Sequence, residues 1–427
     1  MRRWLFNFGY LAAAAVIWPW FLYKAMTTGK YRAGIGQRLG RIPARRPGKS
    51  IWVHAVSVGE LLQIKPLLKA LREQHPEHEV VLTYTTKTAA EIAARDLPDV
   101  YHCYSPLDLS WVVDRFFQVL DPALVVLVEL ELWPNWLITA RSLGVPVLVA
   151  NGRISAGSFA NYRRFAWLLR PAFDAIRVWA IQDEVYAERA KALSGVNGAG
   201  APCVVVTGNL KYDSLRFEPD AEMAAYFRAA FNFAPGRPVL VCGSTHPGEH
   251  EMIVDMIPRL DCRVIIVPRH PERHESVREM LRKAALPWAN RSMLSPERPA
   301  GERDVIVLDT VGELAAVYAV ADVVFVGGSL IPHGGQNMAE PVALGKPTLV
   351  GPHTDNFRAT VRELIECGGL VVVATAQELE ARARDLLANA DSRARIAVAG
   401  RARLMASRGA LKRTLSLIQP LPGKSVP

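Results

Sequence analysis

Two Rossmann-like α/β domains behind an apolar N-terminal helix are what this sequence predicts, and three observations carry the prediction. From Lys49 onward, short β-branched runs alternate with helical patterns, as parallel sheets built from βαβ units require. The alternation breaks at Asp213–Pro219 (DSLRFEP) and, after one helical stretch, restarts with PVLVCGS at Pro238. The chain has 427 residues, 50% of them hydrophobic, which is long for one core and ordinary for two.

Residues 1–30 read as a membrane anchor. After MRRW comes LFNFGYLAAAAVIWPWFLY, about the length that crosses a bilayer, with Trp and Tyr near its ends. Lys24, Lys30, Arg32, Arg38, Arg41, Arg45 and Arg46 follow directly, where a cleaved signal peptide would carry a small-x-small site. Such a basic run belongs on the cytoplasmic face. Asn7 and Pro19 interrupt the apolar span, so an interfacial helix dipping into one leaflet is the alternative.

Residues 31–212 form the first expected domain, with strands at Ile51–Val56, Glu79–Tyr84, Leu124–Glu129, Val145–Ala150, Val178–Gln182 and Val204–Gly208. Residues 213–427 form the second, with strands from Pro238 and at Arg263–Val267, Val305–Asp309, Val323–Val326 and Thr348–Val350, followed by closing helices. No short-period repeat or low-complexity tract interrupts either half. Two such domains facing each other leave a cleft between the carboxyl ends of their sheets, where open α/β sheets bind ligands. The chemistry should therefore sit just after strands.

A net charge of +10 points to anionic partners: nucleic acid, an acidic membrane face or phosphorylated substrates. The five cysteines (Cys103, Cys203, Cys242, Cys262 and Cys367) are scattered and form no CxxC pair. They imply neither a disulfide framework nor a zinc site, and read as small buried hydrophobes in a reducing compartment.

Several stretches put functional residue types at strand ends. In HAVSVGELLQIKPLL, Glu60 stands at a helix start after an apolar strand, where a phosphate would otherwise sit. Its bland reading is a first-turn acid favoured by the helix dipole; its chemical reading is a general base. VELELWPNW sets Glu129 and Glu131 at a strand end with Trp133, Pro134 and Trp136 behind them, and TGNLKYD offers Lys211 to answer their charge.

In the second half, GSTHPGEHE, PRHPER and DTVGEL each follow a strand, and VGGSLIPHGGQNMAEP places Gly327, Gly328, Gly334 and Gly335 ahead of the helical run Asn337–Leu344. Arg269 suits bidentate phosphate binding, the amides of Gly312–Leu314 suit an anion, and Glu340 suits paired ribose hydroxyls. These pieces describe a nucleotide site, although the glycines alone fit a tight turn and match neither a Walker loop nor GxGxxG.

Taken in order, HAVSVGE, VELELWPN, ANGRIS, TGNLKYD, GSTHPGE, VPRHPER, DTVGEL and VGGSLIPHGGQNMAEP resemble the bacterial 3-deoxy-D-manno-octulosonic acid (Kdo) transferases, over nearly the whole chain. The resemblance implies a GT-B glycosyltransferase that is inverting and metal-independent and uses no cofactor. It would move Kdo from CMP-Kdo to a tetraacylated lipid A precursor, on the cytoplasmic side of the cell inner membrane. By motif, Glu60 matches the family's base, and Glu129 with Lys211 its transition-state stabilisers. Pro268 and Arg269, Gly312, Glu313 and Leu314, and Asn337, Met338, Ala339 and Glu340 match its CMP contacts. His246 and His353 fit phosphate contact or turn structure better than metal ligation.

Two motifs depart from the family pattern. Leu130 stands where a threonine is common, which dries that strand end, and GGQNMAEP replaces GGHNPLEP around Gln336, which bears on how the base is held. On the acceptor side, Arg153, Arg163, Arg164 and Arg170 with Phe165 and Trp167 would meet sugar phosphates at the bilayer surface, or form an ordinary amphipathic face. Two rivals are a UDP-sugar transferase of the same fold and a membrane-tethered nucleic-acid-binding protein. The second leaves Glu60, Glu129, Glu131 and Glu340 repelling backbone phosphates, so no nucleic acid is expected.

Overall fold

The computed structural model describes residues 2–28, 33–194, 202–233, 236–270 and 273–418. Lys30 and Arg32 of the basic run, and Pro271 and Glu272 of PRHPER, lie outside the described residues. The chain divides into two compact units, Met1–Ser214 with Arg408–Pro427, and Leu215–Ser407.

In the first unit, β1 (Ser50–His54), β2 (Glu79–Tyr84), β3 (Tyr101–Tyr104), β4 (Pro122–Val128), β5 (Val147–Gly152), β6 (Ile176–Ile181) and β7 (Cys203–Val206) form one sheet. Its order is β3-β2-β1-β4-β5-β6-β7, with every pair parallel. β1 and β4 are buried along their whole length, which is why both read as unbroken apolar runs. Strand order reverses between them, making β1/β4 the switch point where such sheets bind ligands. β4 begins at a proline, allowed at a strand's first position, and ends because Glu129 takes a left-handed φ of 57°. The edge strand β3, with its YHCY sequence, lacks the β-branched signature and is absent from the sequence reading.

The expected anchor is a helix, Arg2–Thr28. Asn7, which interrupts the apolar run, is used for docking: its Oδ1 accepts from Ser110 N at 3.0 Å and its Nδ2 donates to Ser110 Oγ at 2.7 Å. Arg3 pairs with Asp114 at 2.6 Å, and the Tyr10 hydroxyl donates to Asp108 at 2.8 Å. Among the described residues no helix is long and apolar enough to cross a membrane.

The second unit repeats the plan. β8 (Val239–Thr245), β9 (Arg263–Pro268), β10 (Trp288–Asn290), β11 (Val305–Val307), β12 (Val323–Val326), β13 (Thr348–Val350) and β14 (Val371–Val372) form a parallel sheet in the order β10-β11-β9-β8-β12-β13-β14. Its switch point is β8/β12. The short edge strands β10 and β14 carry too little pattern to be read from sequence. Residues 213–427 read above as one domain, yet the chain from Arg408 belongs with the first unit. There the Asp213 carboxylate accepts from Gly409 N and Leu411 N at 2.6 and 2.7 Å, capping the helix Ala410–Ser416 from outside. Ala410 and Ile418 are buried in the first unit's core.

One buried acid organises the second switch point. Glu249, with 0% exposure, accepts four backbone N–H groups: His246 at 3.0 Å, Gly328 at 2.7 Å, and Ser329 and Leu330 at 3.0 Å each. The glycine-rich loop after β12 thus wraps an internal carboxylate. Gly327 must be glycine, since a Cβ would lie 2.6 Å from Thr245 Cα and 2.7 Å from Glu249 Oε2. Replacing Glu249 with Ala leaves these amides buried and unpaired, and equilibrium denaturation should show a loss of about 4 kcal/mol or more. A loss under about 1 kcal/mol would contradict this role.

Candidate active site

Ser57 caps the helix Val58–Gln74 by accepting from Glu60 N at 3.4 Å, and its hydroxyl donates to Glu60 Oε1 at 2.8 Å. Glu60 Oε2 accepts from Val56 N at 2.8 Å. Glu60 thus answers the Ser57 cap by bonding its hydroxyl and the amide one residue before it, so its bland reading as a first-turn acid holds. Each of its oxygens takes one hydrogen bond here and keeps further acceptor capacity, and the two bonds fix the carboxylate at the carboxyl end of β1.

β4 delivers two more carboxyls to the same edge. The Glu129 N–H still bonds Ala150 O at 2.9 Å while its left-handed backbone turns the chain out of the sheet. Burial raises the Glu129 pKa, the Glu60 charge raises it further, and Arg153 opposes both. Glu131 is pushed up to about 7 by burial and then by the charges of Glu60 and Glu129. Leu130 packs against the apolar cluster that holds Trp136 and Trp52, whose rings lie 4.5 Å apart, so the wall behind these acids is dry.

A polar chain ties this edge together. Gln63, on Glu60's helix, accepts from Asn151 Nδ2 at 3.0 Å, and Asn151 Oδ1 accepts from Leu210 N at 3.0 Å. Asn151 O accepts from Gln182 Nε2 at 3.0 Å, and Gln182 Oε1 accepts from Asn209 Nδ2 at 3.2 Å. Asn209 Oδ1 in turn accepts from Lys211 N at 3.0 Å, on the short turn Leu210–Tyr212. The loops after β5, β6 and β7 are thereby indexed to the helix of Glu60. The Lys211 ammonium lies 5.8 Å from the Tyr212 ring centroid.

In the second unit, Pro268 ends β9 beside Thr245, and exposed Arg269 follows, its N–H bonded to Thr245 O at 3.0 Å. Asn337 Nδ2 donates to Glu340 Oε1 at 2.8 Å, and Ala339 N bonds Asn337 Oδ1 at 3.3 Å. Met338 and Ala339 are fully buried and have only backbone to offer a ligand. Burial raises the Glu340 pKa, and the Asn337 amide and the Arg269 charge oppose it. Gly312 and Glu313 line a cavity of about 120 Å³ with Arg216, Asp220, Met223 and Leu344, while Leu314 opens the short helix Leu314–Ala319. The Glu313 side chain accepts from Arg291 at 2.8 Å and from the Thr310 hydroxyl. The amides of Gly328, Ser329 and Leu330 in the glycine-rich loop are taken by Glu249. The helix expected over Asn337–Leu344 shortens to Ala339–Ala343.

Among the described residues, His75, Glu77 and His78 bring potential ligand atoms within 4.8 Å of one another. They lie beyond the far end of the 17-residue helix that Glu60 begins, roughly 25 Å from it and outside the carboxyl cluster.

Two parallel seven-stranded sheets, each with side chains gathered at its switch point, define the GT-B class of fold. Solved structures sharing that fold include MurG from Acinetobacter baumannii, with a TM-score of 0.56 at 15% identity over 87% of this chain and 99% of that one. A putative UDP-N-acetylglucosamine 2-epimerase from Listeria monocytogenes gives a TM-score of 0.54 at 15% identity over 87% and 96%. The sequence pattern of the 3-Deoxy-D-manno-octulosonic-acid transferase (kdotransferase) family matches residues 33–214. The 3-deoxy-D-manno-octulosonic acid transferase of Haemophilus influenzae is 34% identical over 406 residues, 93% of each chain. That of Bordetella pertussis is 34% identical over 437 residues, 98% of this chain and 99% of its own. The chain belongs to the Kdo transferase family and is a glycosyltransferase.

The carboxyl cluster has a measurable signature. A carboxyl whose folded pKa is raised stabilises the fold fully below its unfolded value and loses that contribution as pH rises toward the folded one. For Glu131 the window runs from 4.5 to about 7. Thermal unfolding of Glu131→Gln should lack this part of the pH slope, leaving the variant more stable than wild type near pH 8. Parallel slopes for the two proteins would refute the clustering.

Proposed function

We infer that this chain transfers Kdo from CMP-Kdo to a tetraacylated lipid A precursor by an inverting, metal-independent displacement at the cytoplasmic face of the inner membrane. Family membership supports the sugar. The observation that carries the mechanism is the fixed Glu60 carboxylate beside two carboxyls of raised pKa.

A single displacement inverts the anomeric centre. The acceptor hydroxyl attacks the anomeric carbon, its proton passes to Glu60, and the bond to the phosphate oxygen breaks with its electron pair leaving on CMP. Pushed up to about 7, Glu131 is partly protonated near neutrality and donates a hydrogen bond to an anionic group that an ionised carboxylate would repel; burial and the Glu60 charge shift Glu129 in the same direction. Arg269 and Lys211 supply the positive charge that a departing phosphate needs. Asn337 and Glu340 suit the ribose hydroxyls, and the cavity beside Gly312 is apolar on one wall, as a base edge requires.

The test is transfer from CMP-Kdo to lipid A precursor, read by product mass, in wild type and Glu60→Gln. Glutamine keeps an oxygen for the Val56 amide and an NH2 group for the Ser57 hydroxyl, so the variant separates the base from the cap. Wild type should gain the mass of Kdo, and the variant should lose about 10²- to 10⁴-fold in rate while CMP still protects it from unfolding. Full activity in the variant, or lost CMP protection, would remove Glu60 from this role.

Exposed apolar side chains support the membrane face. Trp4 (58% exposed) and Phe8 (69%) lie on the N-terminal helix, and Trp111 (54%) lies on the helix that this one docks against. Trp167, 71% exposed, adjoins Arg163, Arg164 and Arg170. Wild type should co-float with vesicles containing anionic lipid, and the double variant Trp4→Glu, Phe8→Glu should be released from them without loss of fold. Equal flotation of both proteins would place the contact elsewhere.

A further inference from the structure

At the second switch point stands a group of side chains that the nucleotide contacts leave unused. His246 follows β8, His270 follows β9, and His333 lies in the loop after β12. The rings of His246 and His333 are 4.0 Å apart between centroids, and that of His270 is 5.8 Å from His246, edge to face. Gln336 places its Nε2 3.1 Å from His246 Nε2, so the amide donates to that nitrogen and leaves the ring proton on Nδ1. Gly328, with φ +66°, has no Cβ because one would sit 3.3–3.4 Å from His246, Gln336 and His333. Its absence leaves both rings their places.

The result is a buried imidazole, His246, rimmed by exposed His333, His270 and Arg269. Among the described residues, the acids and the imidazole nearest His246 are engaged. Glu249 is saturated by four amides, Glu340 is bonded to Asn337, and His250 bonds Thr245 at 3.0 Å. Burial and the adjacent His333, His270, His250 and Arg269 hold the His246 pKa down at about 4, so its ring is neutral and acts as a fixed hydrogen-bond donor. Among the described residues the switch point presents donors while its acids are engaged, which is complementary to an anion.

The chemistry of the sugar says which anion. In an ulosonic acid the carboxyl carbon is bonded directly to the anomeric carbon, and in the activated donor that carbon also bears the phosphate ester. The donor's two anions are therefore neighbours, and groups that recognise them must be neighbours too. Arg269 suits the phosphate. His270 is the next residue, and His246 lies on the adjacent strand.

We propose that His246, His270 and His333 form the subsite that binds the carboxylate of the acid sugar, with Gln336 as the positioning residue that sets the tautomer of His246. The proposal rests on the donor reading above. It explains why glutamine serves where histidine is usual at position 336, since either side chain can hold the His246 ring.

The experiment compares the inhibition constant of CMP, which lacks the carboxylate, with the KM of CMP-Kdo in wild type, His333→Asn and His270→Asn. Both positions are on the surface, so the fold is preserved, and circular dichroism checks it. Each variant should raise the KM for CMP-Kdo about tenfold, the loss of one charge-assisted hydrogen bond, and leave the CMP constant within about twofold. Equal rises in both constants would assign the imidazoles to the phosphate, and no change in either would remove them from the site; both results overturn the proposal. Wild type that neither turns over CMP-Kdo nor binds CMP would overturn the donor reading itself, and this subsite with it.

Discussion

How three carboxyl groups tolerate one another at the β1/β4 switch point is the constraint on which the first unit depends. Like charges on adjacent strands of a dry sheet edge cannot all ionise cheaply. A backbone amide and a hydroxyl donate to the Glu60 carboxylate, and burial, then the Glu60 charge, raises the pKa of Glu129 and Glu131. The aromatic wall behind them and the left-handed turn at Glu129 keep the cluster close enough for this division to persist. A site that handles anionic substrates can then present carboxyls without repelling them.

The second unit meets the opposite problem at the same place in its topology. On the proposed reading its switch point binds an anion, yet Glu249 is buried there. The acid is neutralised by the loop that wraps it, so its charge orders the backbone of residues 328–330 and does not reach the ligand face. Duplicated sheets have thus been given contrary electrostatics by the residues that follow their first and fourth or fifth strands. One unit gathers carboxyls there, and the other gathers imidazoles and an arginine.

Much of this was legible in the sequence because parallel strands buried on both faces leave unbroken apolar runs. Glu79–Tyr84, Val323–Val326 and Thr348–Val350 fall where their patterns put them. The edge strands β3, β10 and β14 were not, since an edge needs neither length nor β-branched residues. Glu60 and Glu129 stood out as acids at strand ends. The larger perturbation at Glu131 was hidden, because it comes from burial and then from the charges of Glu60 and Glu129, which only the folded sheet edge brings together. Glu249 was hidden for a similar reason: in GSTHPGEHE it reads as a first-turn acid, whereas three of its four donors lie about eighty residues further on. Asn7 looked like a flaw in an apolar helix and is in fact that helix's docking bond.

The central claim, that the Glu60 carboxylate raises the pKa of its two buried neighbours, is tested most directly by carboxyl-carbon NMR titration of the full chain. The account predicts Glu129 and Glu131 titrating above the ordinary carboxylate range, Glu131 near 7, and both falling in Glu60→Gln, whereas Glu340, raised by its own burial, does not move. Titration of every glutamate within the ordinary range, or raised values unmoved by that substitution, would contradict it.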